Sequence, residues 1–216
     1  MQRAKRFLLS LIFLTAFTLW TVALCRVDVG PIGPMDTAVG LSTLNGFVHR
    51  LTGVCMDIYV ITDWLGLVPV AIGLGFAVLG LTQWIRRRNL LKVDFDLLML
   101  GLFYLAMLGV YLLFESVVIN YRPVLIYGCL EVSYPSSTTL LTLCVMPTAL
   151  WQLRRRIRCF ALYRVLRVVI LLFMLFMVGG RLIAGVHWFT DIVGGVLLAA
   201  GMVGLYDAVC RTGEKK

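Results

Sequence analysis

The sequence predicts an all-α, polytopic membrane protein with six transmembrane helices. Three observations carry that reading. The 216-residue chain is 61% hydrophobic and 14% charged, with a mean hydropathy of +0.94. Soluble domains carry about 25% charged residues. Six apolar stretches approach the roughly 20 residues that cross a bilayer. The basic residues cluster in alternate connections, as the positive-inside rule describes.

The first stretch, near Phe7–Leu24, follows Arg3, Lys5 and Arg6. Leu24 and Cys25 make a poor small-residue cleavage site, so a retained first helix is expected rather than a signal peptide. The longest connection, Arg26 to Ile58, opens with Gly30, Pro31, Gly33 and Pro34, which mark turns. Its part from Ala38 to Leu51 spaces Leu41, Leu44, Phe47, Val48 and Leu51 as an amphipathic interfacial helix would. His49 and Arg50 read there as a solvated pair.

The second stretch, Val60–Trp84, ends in Arg86, Arg87, Arg88 and Lys92. The third is Leu97–Ile119. The fourth, Thr139–Leu153, is short and holds Pro147, expected to kink it, with neighbouring helices satisfying the freed carbonyl. After it come Arg154, Arg155, Arg156, Arg158, Arg164 and Arg167, then the fifth stretch, Val165–Ile183. The sixth, Ile192–Val209, carries Gly194, Gly195, Ala199, Ala200, Gly201 and Gly204, small residues that let helices approach closely in lipid. Arg211, Lys215 and Lys216 follow.

This charge pattern places both termini in the cytoplasm. The connections holding Arg26, Arg50, Arg122 and Arg181 then lie outside. Trp20, Trp84, Trp151 and Trp188 fall near stretch ends, as an aromatic belt would. One domain, 1–216, is expected. The net charge of +9 is a topology signal with some attraction to anionic headgroups. It does not indicate nucleic acid, because no aromatic stripe accompanies it.

The six cysteines are scattered and lack metal or redox spacing. They read as small buried hydrophobes, with one disulfide left open among Cys25, Cys55 and Cys129. His49 and His187 are far apart, and no acidic cluster resembles a divalent-ion cage, so neither a metal nor a cofactor is expected. The expected partners are the lipid bilayer and a phosphorylated lipid. Oligomeric state is not legible.

Two outer connections hold the candidate chemistry. One contains Arg181, His187 and Asp191. Asp191 follows His187 by four residues, so on a helix the two share a face and the carboxylate orients the imidazole. The other contains Asn120, Tyr121, Arg122, Pro123, Glu131 and the run Tyr134 to Thr139. Pro135, Ser136, Ser137 and Thr138 immediately precede an apolar run, where a serine caps a helix and the exposed N–H groups attract an anion. Arginine grips phosphate oxygens through paired hydrogen bonds. Arg122, Arg181 and the start of helix four thus predict a phosphate cradle beside an oriented, nucleophilic histidine. The bland alternative is that the arginines snorkel and Ser136 only caps.

These residues resemble the type 2 phosphatidic acid phosphatase superfamily of membrane phosphatases. That family's signatures are a lysine, six residues and Arg-Pro; then Pro-Ser-Gly-His; then Ser-Arg, five residues, His, three residues and Asp. Here Arg122-Pro123, Pro135-Ser136 and Arg181…His187…Asp191 match in order and spacing, with the core of the resemblance over 97–209. The resemblance implies a phosphatase-type helical core and a metal-independent mechanism. His187 would be the nucleophile that forms a phosphohistidine, and Asp191 its orienting group. Arg122 and Arg181 would bind phosphate, with Ser136, Ser137 and Thr138 beside them. Glu115 stands where the family has lysine, Ser137 where it has glycine and Gly180 where it has serine. Thr138 replaces the histidine that protonates the leaving alcohol.

Loss of a general acid costs about 10²–10⁴-fold. An alkoxide leaving group needs that proton and a phosphate leaving group needs it far less, so a lipid diphosphate fits better than a monoester. Glu115 or Glu131 is a candidate substitute acid, and Glu115 is also a candidate ion-pair partner of Arg122. The function expected is hydrolysis of a polyprenyl diphosphate or phospholipid phosphate at the outer face of a bacterial cell membrane. The alternative is a catalytically impaired relative that binds or translocates a phosphorylated lipid. A small-solute transporter fits less well, because the stretches are nearly free of internal charge.

Overall fold

The computed structural model describes residues 2–213. Its helices are α1 (Gln2–Arg26), α2 (Ser42–Thr52), α3 (Met56–Leu65), α4 (Leu67–Arg87), α5 (Phe95–Ser116), α6 (Ser137–Arg156), α7 (Phe160–Ile183) and α8 (Phe189–Gly213). Among the described residues two short 3₁₀ turns, Pro34–Asp36 and Leu90–Lys92, and isolated β-bridges accompany them. Five segments are long and apolar enough to cross a membrane: Ala4–Arg26, Met56–Arg87, Phe95–Ser116, Phe160–Ile183 and Phe189–Cys210.

The predicted fourth stretch lies in α6, which is 20 residues long but does not meet that apolar standard. Position explains the composition. α6 is central, packed against α4, α5, α7 and α8. It therefore buries Thr138, Thr139, Thr142, Thr148 and Gln152 against protein rather than lipid. Thr148 Oγ1 donates back to the Cys144 carbonyl (2.8 Å). Gln152 Nε2 donates to Tyr206 Oη (2.8 Å) and to the Asp96 carbonyl (3.2 Å). Helix α6 runs on past Pro147 to Arg156. At the same end the buried Asp96 carboxylate pairs with Arg156 (3.3 Å), tying one predicted basic cluster to the start of α5.

The second stretch is two helices rather than one. It breaks at Gly66, whose N–H donates back to the carbonyls of Thr62 (3.1 Å) and Asp63 (3.0 Å). The interfacial helix expected over Ala38–Leu51 forms as α2. Asp28 starts it by accepting from Ser42 Oγ (2.9 Å) and the Thr43 N–H (2.8 Å). His49 is half-buried against Trp188, 5.4 Å between ring centroids, rather than solvated. Trp188 itself is 2% exposed, so it belongs to the core and not to an aromatic belt. The six cysteines are free, which removes the disulfide left open for Cys25, Cys55 and Cys129. Lys215 and Lys216 lie outside the described residues.

The small residues of α8 do what close helix packing requires. A Cβ at Gly201 would meet Leu14 of α1 at 2.7 Å, and one at Gly204 would meet Ser10 Oγ at 2.4 Å. At the other end of α8, Gly194 lies against the Tyr134 ring and Gly195 against Thr139. The α1–α8 seam therefore tolerates no added bulk. Overpacking costs about 1–3 kcal/mol, so Gly204→Val is expected to lower the melting temperature of the detergent-solubilised protein. Gly75→Val, where no atom lies within 4 Å of the new Cβ, should leave it unchanged. Equal melting temperatures for the two variants would contradict this packing.

Candidate active site

The site forms where two connections meet. The first runs from α5 to α6 and folds back on itself through bridges between Tyr121 and Val132 and between Ile126 and Cys129. The Arg122 N–H donates to the Glu131 carbonyl (2.9 Å) and the Ser133 N–H to the Asn120 carbonyl (3.0 Å). The second connection, residues 184–188, turns sharply at Gly185, whose φ is +66°. A Cβ there would sit 1.9 Å from the Gly53 carbonyl oxygen. Only glycine accepts both conditions.

His187 lies in that turn, before α8 begins, and Asp191 lies in the first helical turn. The two do not share a helix as the spacing predicted. Asp191 instead closes one half of a capping box: its Oδ2 accepts from the N–H of Trp188 at the helix start (2.9 Å). Its Oδ1 accepts from Asn120 Nδ2 (3.2 Å), and its backbone carbonyl accepts from the Ser136 N–H (3.1 Å). His187 Nδ1 is 3.9 Å from Asp191 Oδ2, a close approach without a hydrogen bond. The pair is buried, at 3% and 0% exposed.

The other predicted residues converge here. Arg181, 2% exposed, donates through Nη2 to Thr138 Oγ1 and to Asp63 Oδ1, the latter at 3.0 Å. Arg122 Nε lies 3.0 Å from Glu131 Oε2, a contact whose charges attract without a well-directed hydrogen bond. This corrects the sequence-based pairing of Arg122 with Glu115. Both guanidiniums lie over the Tyr59 ring, at 5.9 Å for Arg122 and 5.1 Å for Arg181. Ser136 stands at the N-terminal boundary of α6, but its hydroxyl caps nothing. Arg122, Glu115, Ser137 and His187 line one enclosed cavity of about 20 Å³, near the size of a single water. Glu115, which is exposed, borders that cavity with Tyr111, while the less exposed Glu131 pairs with Arg122.

Several buried polar atoms here have no hydrogen-bond partner: Nε and Nη1 of Arg122, Nε and Nη1 of Arg181, Ser136 Oγ and both ring nitrogens of His187. Buried polar groups are normally paired. Two cations, a hydroxyl and an imidazole together present the chemistry that receives an anion with several oxygens.

Sequence reasoning missed Asp63, Tyr59 and Asn120. Asp63 had a signal: it is a carboxylate inside a predicted apolar stretch. Asn120 reads in the sequence only as a near neighbour of Arg122. Nothing in the local sequence marked Tyr59 as a platform for two arginines.

Burial pushes the His187 imidazole down from its ordinary 6.5 to about 4; the Arg122 and Arg181 charges act the same way, and the Asp191 carboxylate opposes them. A depressed value means a neutral ring at neutral pH. Below about pH 6.5 the unfolded chain takes up a proton that the native ring refuses, so this group's effect lowers stability as pH falls from 6.5 toward 4. In His49→Gln only His187 remains to be observed. Its imidazole ¹⁵N signals should stay neutral down to about pH 4, and a midpoint near 6.5 would contradict this burial.

Residues 116–209 match the sequence model of the PAP2 superfamily. Among solved structures, the chain is similar to the crystal structure of a transmembrane PAP2-type phosphatidylglycerolphosphate phosphatase from Bacillus subtilis. The TM-score is 0.63 at 15% identity, covering 94% of this chain and 96% of that one. That likeness speaks to the fold. No curated protein sequence matches. Residues 116–209, which hold Arg122, Ser136, Arg181, His187 and Asp191 in the order and spacing of the signatures, are thus similar to the type 2 phosphatidic acid phosphatase (PAP2) superfamily.

Proposed function

We propose that the protein is a membrane-embedded phosphatase of phosphorylated lipids, with a lipid diphosphate such as a polyprenyl diphosphate as its preferred class. The observation that carries this reading is the convergence of Arg122, Arg181, Ser136 and His187, which between them leave seven buried polar atoms without partners. Six spans are part of the proposal, with α6 as the polar central one. The charge pattern supports cytoplasmic termini and a site at the outer face. One domain spans the chain in this reading.

In the proposed mechanism Arg122 and Arg181 bind the phosphoryl oxygens, and the Ser136 hydroxyl adds a donor. Ser137 and Thr138 form the first turn of α6, whose N–H groups and dipole favour the anion. His187 Nδ1 faces Asp191, which leaves Nε2 to attack phosphorus. A neutral ring has the lone pair that attack needs. Asp191 then stabilises the positive charge that develops on the imidazole. No metal or cofactor takes part.

An apolar groove of about 350 Å³ supports a lipid substrate. It opens beside Ser137 and Thr138 and is lined by Leu67, Met107, Leu108 and Leu141. Phosphate departs from this side in the proposed geometry, and Thr138 offers no useful proton there. A leaving phosphate tolerates that absence better than an alkoxide.

Phosphate release from a panel of lipid phosphates and diphosphates tests the proposal. Release that His187→Ala reduces by 10³-fold or more is the expected outcome, in line with loss of a covalent nucleophile. Binding of every lipid without release would favour the impaired relative. Thr138→His should raise monoester turnover more than diphosphate turnover, by up to about 10²-fold if a general acid is restored. An equal effect on both classes would overturn the leaving-group argument.

A further inference from the structure

Asp63 pairs with Arg181 and lines the apolar groove beside Thr138. Helix α3 is wedged between the end of α7 and the start of α6. On one side Thr62 Cγ2 lies against Gly180, within 2.8 Å of where a Cβ would be; on the other Gly66 lies against Thr138 Cγ2, at 3.8 Å on the same measure. The wedge leaves the Asp63 carboxylate on Arg181 Nη2, at 3.0 Å, the same nitrogen that donates to Thr138 Oγ1. Asp63, Ser137 and Thr138 also line the same apolar groove. The guanidinium is 2% exposed, whereas the Asp63 side chain is 60% exposed. The carboxylate therefore reaches both a buried arginine and open water.

We infer that Asp63 is the general base for the second half of the reaction. The inference rests on the proposed phosphohistidine mechanism. Once the lipid product leaves along the groove, a water takes its place beside Thr138. The water oxygen attacks phosphorus, and the P–Nε2 bond breaks with its electron pair returning to the imidazole. One water proton passes to the Asp63 carboxylate, and inorganic phosphate is released. Asp63 then returns the proton to solvent through its exposed face. The first step asks nothing of Asp63, which agrees with a diphosphate substrate whose leaving group needs no acid.

The test uses the full chain in detergent with a prenyl diphosphate carrying ³²P in its terminal phosphate, followed by rapid acid-free quench. The parent protein should release phosphate with little label on the protein. Asp63→Asn should slow release by about 10²–10⁴-fold while protein-bound, acid-labile label rises toward one per chain. Added formate should restore part of the release. Asp63→Glu, which keeps the carboxylate, should retain more release than Asp63→Asn. Label and release falling in equal proportion would show that Asp63 only holds Arg181, and unchanged release would also overturn the assignment. A different pattern marks failure of the hydrolase reading itself: the parent protein neither acquires label nor releases phosphate, and the assignment to Asp63 then falls with it.

Discussion

The site depends on one buried carboxylate. Asp191 is fully buried and sits in the first turn of α8, where the N-terminal end of the helix favours negative charge. Its side chain accepts from the Trp188 N–H and from Asn120, and its backbone carbonyl accepts from Ser136. One residue therefore fixes the turn that carries His187, the connection that carries Arg122 and the start of α6. A buried charge persists only when it is bonded on all sides. The reach of Asp191 across three segments is the same requirement seen from the fold. Asn120 extends it by accepting from the Gly40 N–H (3.4 Å), and Asn45 adds a second tie by bonding Thr190.

Around that anchor the site divides by exposure. The half that holds His187 is dry: His187, Asp191, Ser136 and Arg181 are all within 3% of full burial. Dryness keeps the imidazole neutral and strengthens each charge's pull on a phosphoryl group. The other half is open. Glu131 and Asp63 meet the arginines from the wet side, with side chains 41% and 60% exposed. The apolar groove beside Thr138 begins at that boundary. A substrate with an anionic head and an apolar tail matches both halves at once.

Much of this was legible in the sequence because it is encoded by local spacing. The interval from Arg181 through His187 to Asp191 named the residues of the proposed anion site, and the glycines of α8 named its close packing. What stayed hidden depends on partners distant in the chain. Asp63 and Arg181 are 118 residues apart, so no window of sequence joins them. Helix α6 reads as a marginal stretch because its threonines face other helices rather than lipid. Trp188 reads as an interfacial aromatic, yet its indole N–H is bonded to the Tyr121 carbonyl (2.7 Å) inside the core. The capping role of Asp191 is hidden for a related reason: a four-residue interval reads as a helical face, whereas the helix begins between the two residues.

The central claim is that Arg122, Arg181 and His187 form one receptor for a phosphoryl group. The most direct test is an experimental structure of the protein with orthovanadate. The account predicts vanadium bonded to His187 Nε2, with the two guanidiniums on its oxygens and Asp191 still bonded to the Trp188 N–H. Vanadate bound elsewhere, or absent from His187 at saturating concentration, would contradict it.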